Sequence, residues 1–549
     1  MIVPDELSTI GEVFFRATAA YGNRPFLVVP ANRSRAYHPQ GCEIDFIAAA
    51  TEVRRLIKAY SAAGYGLGHR IALFLENRPE HFLHKIALNT LGACSVPVNP
   101  DHRTNELAYM LTHSRVDLVV VVQARMADIS AALACIPQQV QIVLFEDFDR
   151  GIPRAARCAE SGEITSSTPA SILYTSGTTG LPKGCVLSHY YELASGAWYA
   201  TRGYLCEFHD SGDRLYNPLP VYHVNAGVYS FFCILLTGNC QIQTDRFHTD
   251  RWWPEIRQTN ATVIHYLGVI APLLLSRMPT EQDRMHQVRF GIGAGVEPTL
   301  HQKFEDRFGF PLIEVWGMTE FVASLFANVP PRKVGTRAFG RMQAEGFELR
   351  VVDDTGTDVP DGIPGELIVR HSAASPRKRF FSGYFDDPDA TIAAWRGGWF
   401  HTGDAVLREP DGTMHFVDRL KNIIRRSGEN IAAAEVEAVL QLHPFVKQVS
   451  VLAVKDELRE EEVLACVVLG DAQKDTRTAR ILFNFCYDKL AYYKTPGWIW
   501  FADKLPTTGT QKIQKHEIFP KGTDPRQIEG IFDLRSLKKR GTNAIAPAL

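Results

Sequence analysis

Apolar residues recur at helical spacing over residues 5–21, where Leu7, Ile10, Val13, Phe14 and Ala17 would share one face. Residues 71–75 (IALFL) form a continuous apolar run of strand length. A second helical pattern follows at 79–92, with Phe82, Leu83, Ile86, Ala87 and Leu91 in phase, and 92–98 reads as another short strand. The runs 117–122 (DLVVVV) and 141–145 (QIVLF) are further β candidates, as is Ser171 to Tyr174. Beyond them come 261–265, 289–293 ending in glycines, a helix at 299–308, and a strand at 312–316 that runs into Gly317-Met318-Thr319-Glu320. Strands alternating with helices predict a parallel, doubly wound α/β sheet, with ligands at the carboxyl ends of its strands.

From about residue 347 the texture changes. Short β runs at 348–352 and 365–370, punctuated by Asp353-Asp354-Thr355-Gly356, predict a small antiparallel or barrel-like subdomain. Helical and β patterns then alternate again over 432–442, 446–454, 463–469 and 477–490, enough for a separate compact α+β domain beginning near 418–422. The segment after Asp533, with Lys538-Lys539-Arg540, is expected to be a solvated extension. No internal repeat is visible.

At 549 residues the chain exceeds a single core. Its formal net charge of −2 gives no reason to expect nucleic acid as a partner. Ten scattered cysteines, none in a C-x-x-C pair, predict neither a zinc site nor a disulfide framework, and so a reducing compartment. The first residues carry acids where a signal peptide carries a basic start and an apolar core. The longest apolar run, near 228–236, is too short to span a bilayer. A cytoplasmic protein is expected.

The polar stretch that stands out is 174–184, YTSGTTGLPKG, in which eight of eleven residues are Ser, Thr, Gly or Lys. It offers open backbone N–H groups, several hydroxyls and one ammonium, a combination suited to a polyphosphate. It is not a Walker A loop. Only two residues separate Gly177 from Gly180, Pro182 precedes Lys183, and Gly184 follows it.

Further stretches follow in order: Pro218-Leu219-Pro220-Val221-Tyr222-His223, then Gly293-Ala294-Gly295, Trp316 to Glu320, and Gly398 to Asp404. The last are Asp418-Arg419 with Ser427-Gly428-Glu429-Asn430, and Pro506 to Lys512. This ordered set closely resembles the adenylate-forming superfamily of acyl-CoA synthetases, firefly luciferase and peptide-synthetase adenylation domains, over roughly residues 10–520. Arg426 to Asn430 and Thr510 to Lys515 most resemble the carnitine/crotonobetaine-type and fatty-acyl CoA ligases. The resemblance implies a large N-terminal domain (1–419) of stacked doubly wound sheets plus a small β-rich subdomain. A small mobile α+β lid (420–549) would follow, with a hinge near Lys421. It implies an ATP-dependent ligase: a carboxylate attacks the α-phosphate of ATP, giving acyl-AMP and pyrophosphate. The thiol of coenzyme A then attacks the anhydride, giving a thioester and AMP. An alternative is an enzyme that loads a carrier-protein thiol. The partners would be a small carboxylic acid, ATP, Mg²⁺ and CoA, with no nucleic acid and no membrane span; a homodimer is allowed.

By the same resemblance, Thr175, Ser176, Gly177, Thr178, Thr179 and Lys183 hold the β- and γ-phosphates, Thr319 bonds the α-phosphate, and Glu320 ligates Mg²⁺. Gly293, Ala294 and Gly295 line one side of the adenine and Trp316 stacks on the other, with Gly317 and Met318 beside it. Asp404 accepts from the ribose hydroxyls and Arg419 donates to them; fifteen residues separate the two. Lys512 bridges carboxylate and α-phosphate, a task suited to a point charge on a flexible stem. His223 gates an acyl pocket that Val224, Asn225, Tyr229, Gly268 and Val269 line, together with Gly293 and Met318. Asn225 is polar where many relatives are apolar, and a buried amide needs partners. Arg425, Ser427 and Gly428 line the path of CoA, with Ser427 standing where many relatives have glycine.

Overall fold

A computed structural model describes all residues except 176–180, 211, 269, 297, 343–345, 420–422, 507–512, 514, 516–517, 521 and 540–549, and the backbone alone at 418, 419, 423, 430, 432 and 434. Two compact units result. The larger comprises Met1–Pro100, Leu111–Tyr174 and Gly184–Leu420; the smaller comprises Asp101–Met110, Thr175–Lys183 and Lys421–Leu549.

Two large sheets carry the N-terminal architecture. An eight-stranded sheet runs in the order Phe321–Phe326, Leu312–Met318, Phe290–Ala294, Val263–Leu267, Arg214–Asn217, Cys240–Gln243, Pro25–Val29, Cys42–Asp45. Its interior pairings are parallel and its two edge strands antiparallel. A seven-stranded sheet runs Gly383–Tyr384, Lys183–Ser188, Pro169–Thr175, Cys94–Pro97, Arg70–Phe74, Leu118–Val121, Gln141–Leu144. One apolar cluster joins residues of both sheets through the helices Ile10–Tyr21, Phe46–Ala62, Pro79–Thr90, His189–Ala200 and Phe231–Thr237. The apolar run near 228–236 is therefore core: Phe231 to Leu236 are all 0% exposed, and Phe231 stacks on Phe82 with centroids 4.1 Å apart. No helix among the described residues is long and apolar enough to cross a membrane. All ten cysteines are unbridged.

The helical pattern at 5–21 is shorter than its apolar spacing suggests. Thr9 and Glu12 form a reciprocal capping box, which starts the helix at Ile10. Asp5 and Ser8 close a turn before it, and Leu7 is left 82% exposed instead of packed. The change of texture after 347 marks a third, smaller sheet ordered Ala338–Gly340, Met414–Arg419, Trp399–Arg408, Gly365–Arg370, Glu348–Val352, with Trp395–Arg396 pairing on Trp399–Arg408.

The smaller unit has its own core. Its sheet runs Glu429–Ala432, Ile423–Arg426, Glu460–Leu469, Trp498–Ala502, Ile531–Asp533, with Val446–Asp456 pairing on Glu460–Leu469. The helices Ala433–Gln441 and Thr476–Tyr487 contribute Val436, Leu440, Leu482 and Phe483 to that core. Of the described residues after Asp533, 534–539, two are packed where the sequence predicts a solvated extension. Leu534 is 3% exposed within the core, and the Lys538 side chain is fully buried, because Glu462 offers it a carboxylate.

Candidate active site

The motif Met318-Thr319-Glu320 is the tip of an antiparallel hairpin. Met318 pairs with Phe321, so Thr319 and Glu320 form a two-residue turn between Leu312–Met318 and Phe321–Phe326. Two buried tyrosines pin its backbone. The Tyr191 hydroxyl donates to the carbonyl of Thr319 (2.7 Å), and that of Tyr229 donates to those of Met318 (2.8 Å) and Phe321 (2.7 Å). Glu320 is 7% exposed. Its Oε1 accepts from the Tyr384 hydroxyl at 2.8 Å and from the Cys185 thiol at 3.7 Å. Burial, with Glu320 beside it, keeps the Tyr384 hydroxyl protonated far above its ordinary range.

Beside the hairpin, Phe290–Ala294 lies parallel to Leu312–Met318, with Gly293 opposite Glu314. A Cβ on Gly293 would stand 2.2 Å from the carbonyl oxygen of Tyr266, so only glycine fits. Gly295 follows with φ of +83°. Glu314 holds this loop and carries no signal in the sequence. Its Oε2 accepts from the Gly295 N–H at 3.0 Å; its Oε1 accepts from the Val296 N–H at 3.0 Å and the Tyr266 hydroxyl at 3.1 Å. Burial pushes this carboxyl up, against the bonds from Val296 and Gly295 that hold it down.

Trp316 has a second role besides the one the motif predicts. Its indole N–H donates to Asp404 Oδ2 at 2.9 Å, and Asp404 is 1% exposed. One face of the indole packs against Phe339, with centroids 5.9 Å apart, and the residue is only 4% exposed. The fifteen-residue spacing between Asp404 and Arg419 has a simple cause. The strands Trp399–Arg408 and Met414–Arg419 are antiparallel neighbours, and these two residues are directly paired.

Around the residues read as an acyl pocket, His223 precedes a π-helical turn, Asn225–Ser230, that leads into Phe231–Thr237. Such turns are frequent at functional sites. Gly227 permits the turn: a Cβ there would stand 2.2 Å from the Val221 carbonyl oxygen. Gly227→Ala is expected to shift the turn and raise the KM for the acid about tenfold while sparing that for ATP, a split that steady-state kinetics reads directly. His223 and Val224 are half-buried, and Tyr229 and Gly268 are buried. The Tyr222 ring lies 4.7 Å from that of His223. Tyr199 stacks between Tyr229 and His265, both at 5.8 Å. Burial pushes His265 down to about 3, so this wall is neutral. Asn225 interacts with the Tyr199 hydroxyl, yet its own Oδ1 is buried without a hydrogen-bond partner.

Of the polar stretch 174–184, Thr175 ends one strand and Lys183 begins the next, and the Thr175 hydroxyl faces the Lys183 carbonyl at 3.5 Å. Ser176, Gly177, Thr178 and Thr179 lie outside the described residues, as do Val269, Lys421 and Lys512. The Arg419 side chain does too.

In the smaller unit, Arg425, Ser427 and Gly428 belong to one hairpin, in which Arg426 pairs with Glu429 and Ser427-Gly428 is the turn. Both turn residues have positive φ, +51° and +82°, as a tight primed turn demands. Serine is strained there. Arg459 compensates by accepting from the Ser427 N–H at 3.0 Å and donating to its hydroxyl at 3.4 Å. Ser427→Gly should therefore stabilise the smaller unit by up to about 1 kcal/mol, measurable as a shift in its denaturation midpoint.

Among the described residues no group of three or more potential ligands could hold a metal unaided. A lone buried carboxylate at a hairpin tip suits a hard cation whose other ligands are phosphate oxygens and water, which fits Mg²⁺ arriving with ATP. Within the larger unit, a carboxylate paired by register with an arginine and a glycine-lined loop beside a carboxylate-bearing hairpin tip suit an enzyme that activates an acid with a nucleotide. The chain matches the AMP-binding enzyme family over residues 14–385 and the AMP-binding enzyme C-terminal domain over 435–512, and it belongs to that family. Curated relatives include sulfoacetate–CoA ligase of Cupriavidus necator, 29% identical over 521 residues (93% of this chain, 97% of the relative). Crotonobetaine/carnitine–CoA ligase of Citrobacter koseri is 27% identical over 526 residues (91% and 96%). Among solved structures, o-succinylbenzoate CoA synthetase from Bacillus subtilis shares the fold at a TM-score of 0.77, with 22% identity and 93% and 98% of the two chains covered. The protein is an AMP-forming acyl-CoA synthetase of mixed α/β fold, with a large N-terminal domain of sheets and a C-terminal domain.

Proposed function

We propose that this synthetase activates a small polar carboxylic acid. The observation that carries the proposal is the Asn225 Oδ1, buried without a hydrogen-bond donor beside a neutral aromatic wall. A buried acceptor left unpaired costs about 1–3 kcal/mol, which a substrate O–H or N–H would recover. Crotonobetaine, carnitine and sulfoacetate, for which the two relatives are named, are themselves charged, which supports the same class.

The roles follow the family pattern. Thr175 to Thr179 with Lys183 grip the outer phosphates, Glu320 holds Mg²⁺ against them, and Thr319 faces the α-phosphate. Lys512 neutralises the attacking carboxylate, and Asp404 with Arg419 fixes the ribose. Bringing two anions together is mainly a matter of positioning and charge neutralisation. Residues 1–419 would form the adenylating domain and 420–549 the lid, turning at Lys421. Arg425, Ser427 and Gly428 would line the CoA path. A homodimer in the cytoplasm completes the proposal.

The experiment is a panel of acids with ATP, Mg²⁺ and CoA, ranked by thioester formed for the native enzyme and for Asn225→Leu. The variant should lose about tenfold on acids bearing a hydroxyl or amine and little on apolar ones. An unchanged ranking would remove Asn225 from recognition, and with it the argument for a polar acid.

A further inference from the structure

Beyond the family match, which ends at 512, the described residues 531–538 are built into the smaller unit. Its strand Ile531–Asp533 pairs antiparallel with Trp498–Ala502. The Leu534 N–H donates to the Gly497 carbonyl at 2.8 Å, and Arg535 reaches Asp456 at 2.7 Å. The chain then delivers Lys538 into the interior. Its Nζ donates to Glu462 Oε1 at 2.5 Å and to the Tyr493 carbonyl at 3.1 Å.

Glu462 is 0% exposed and uses its other oxygen for Arg426, whose Nε donates at 2.7 Å. Gly497 makes the space: a Cβ there would stand 2.5 Å from Glu462 Cγ and Cδ. Arg426 is 5% exposed and is the residue immediately before the Ser427-Gly428 turn. A continuous line of charge-assisted hydrogen bonds therefore runs from the C-terminal segment through Glu462 to the base of that turn. Remove the ammonium, and a fully buried carboxylate is left with one cation instead of two, its Oε1 held only by the Val463 N–H at 2.8 Å, and is at liberty to draw Arg426 out of register.

We propose that Lys538 is a positioning residue for thioester formation, fixing Arg426 through Glu462 and so setting the shape of the Ser427-Gly428 turn. This rests on the reading that the turn lines the CoA path. Lys538 touches neither ATP nor the acid in this reading, so the adenylating step should not depend on it.

The charges that face Lys538 are Glu462 on Glu460–Leu469, Arg426 on the hairpin and Arg459 before that strand. Burial pushes the ammonium down to about 7 against the pull of Glu462, with Arg426 adding to the fall. The link should therefore be strongest below that pH and fade as pH rises through it. An arginine at 538 would keep its charge throughout.

The test uses the full chain and separates the half-reactions. Pyrophosphate exchange without CoA reports adenylation; single-turnover conversion of preformed acyl-adenylate with CoA reports thioester formation. Lys538→Met should leave exchange within about twofold of native while raising the KM for CoA or lowering the thioester rate about tenfold. Lys538→Arg should restore the step at pH 6.5. The native-to-K538R ratio of thioester rates should fall as pH rises through about 7, a ratio that cancels the ionisation of the CoA thiol itself. Native thioester kinetics in K538M, equal losses in both half-reactions, or a ratio flat with pH would each overturn the proposal; the ratio serves if K538M does not fold. Ser427→Phe separates this proposal from the reading beneath it. If S427F leaves the KM for CoA unchanged, the turn does not line the CoA path and both fall. If S427F raises it and K538M does not, only the role of Lys538 falls.

Discussion

Glu320→Gln is expected to slow acyl-adenylate formation by about 10²–10³-fold, the loss typical of removing one preorganised charge from a reacting phosphate. Glutamine keeps the shape of the side chain and can still accept from the Tyr384 hydroxyl, which lies 2.8 Å from Oε1. The hairpin tip should hold, since Tyr191 and Tyr229 fix its backbone independently of the carboxylate. Stability should therefore move by less than about 1 kcal/mol while the Mg²⁺ dependence of pyrophosphate exchange shifts to higher concentration. Tyr384→Phe is the comparison. It removes one hydrogen bond to the carboxylate but leaves the charge, so its effect on exchange should be about tenfold at most. Equal losses in the two variants would mean that Glu320 acts by holding Tyr384, not by meeting the metal and phosphates.

Much of the geometry of this candidate site was legible in the sequence because it is local. A hairpin tip needs polar residues between two apolar strands, and 312–326 supplies Thr319-Glu320 in that place. The spacing of Asp404 and Arg419 is the arithmetic of two antiparallel strands and a turn. The alternation of apolar runs gave away the doubly wound sheets for the same reason, since a buried parallel strand must be apolar on both faces. The polar stretch 174–184 stands out by composition alone as a candidate phosphate loop.

What stayed hidden depends on partners distant in sequence. Glu314 is one acid within an apolar strand, and nothing nearby marks it as the acceptor for two loop N–H groups eighteen and nineteen residues before it. Lys538 sits in a run of basic residues that reads as solvated, and only its partner 76 residues away buries it. Leu7 failed in the opposite sense. Its spacing is right for the helix face, but the Thr9–Glu12 cap ends the helix before reaching it. Capping, a local hydrogen-bond contest, overrode a periodicity that burial would have favoured.

Glu314→Leu should be strongly destabilising, costing about 3–5 kcal/mol. Leucine suits a buried strand, and its volume is close to that of glutamate. The cost comes from the groups left behind: the Gly295 and Val296 N–H donors and the Tyr266 hydroxyl all lose their acceptor in the interior. Each unsatisfied donor is worth about 1–3 kcal/mol. Glu314→Gln separates packing from hydrogen bonding. Its Oε1 can still accept, but its amide nitrogen must face one of the donors, so it should fall between native and leucine in urea denaturation. The nucleotide should report the same order. The glycine loop that Glu314 holds is the one read as an adenine wall, and a loop freed by the leucine should raise the KM for ATP at temperatures where the protein is still folded. A variant that loses stability yet keeps its KM for ATP would place Glu314 in the scaffold alone, and would move adenine recognition away from Gly293–Gly295 towards Trp316 and its partner Asp404.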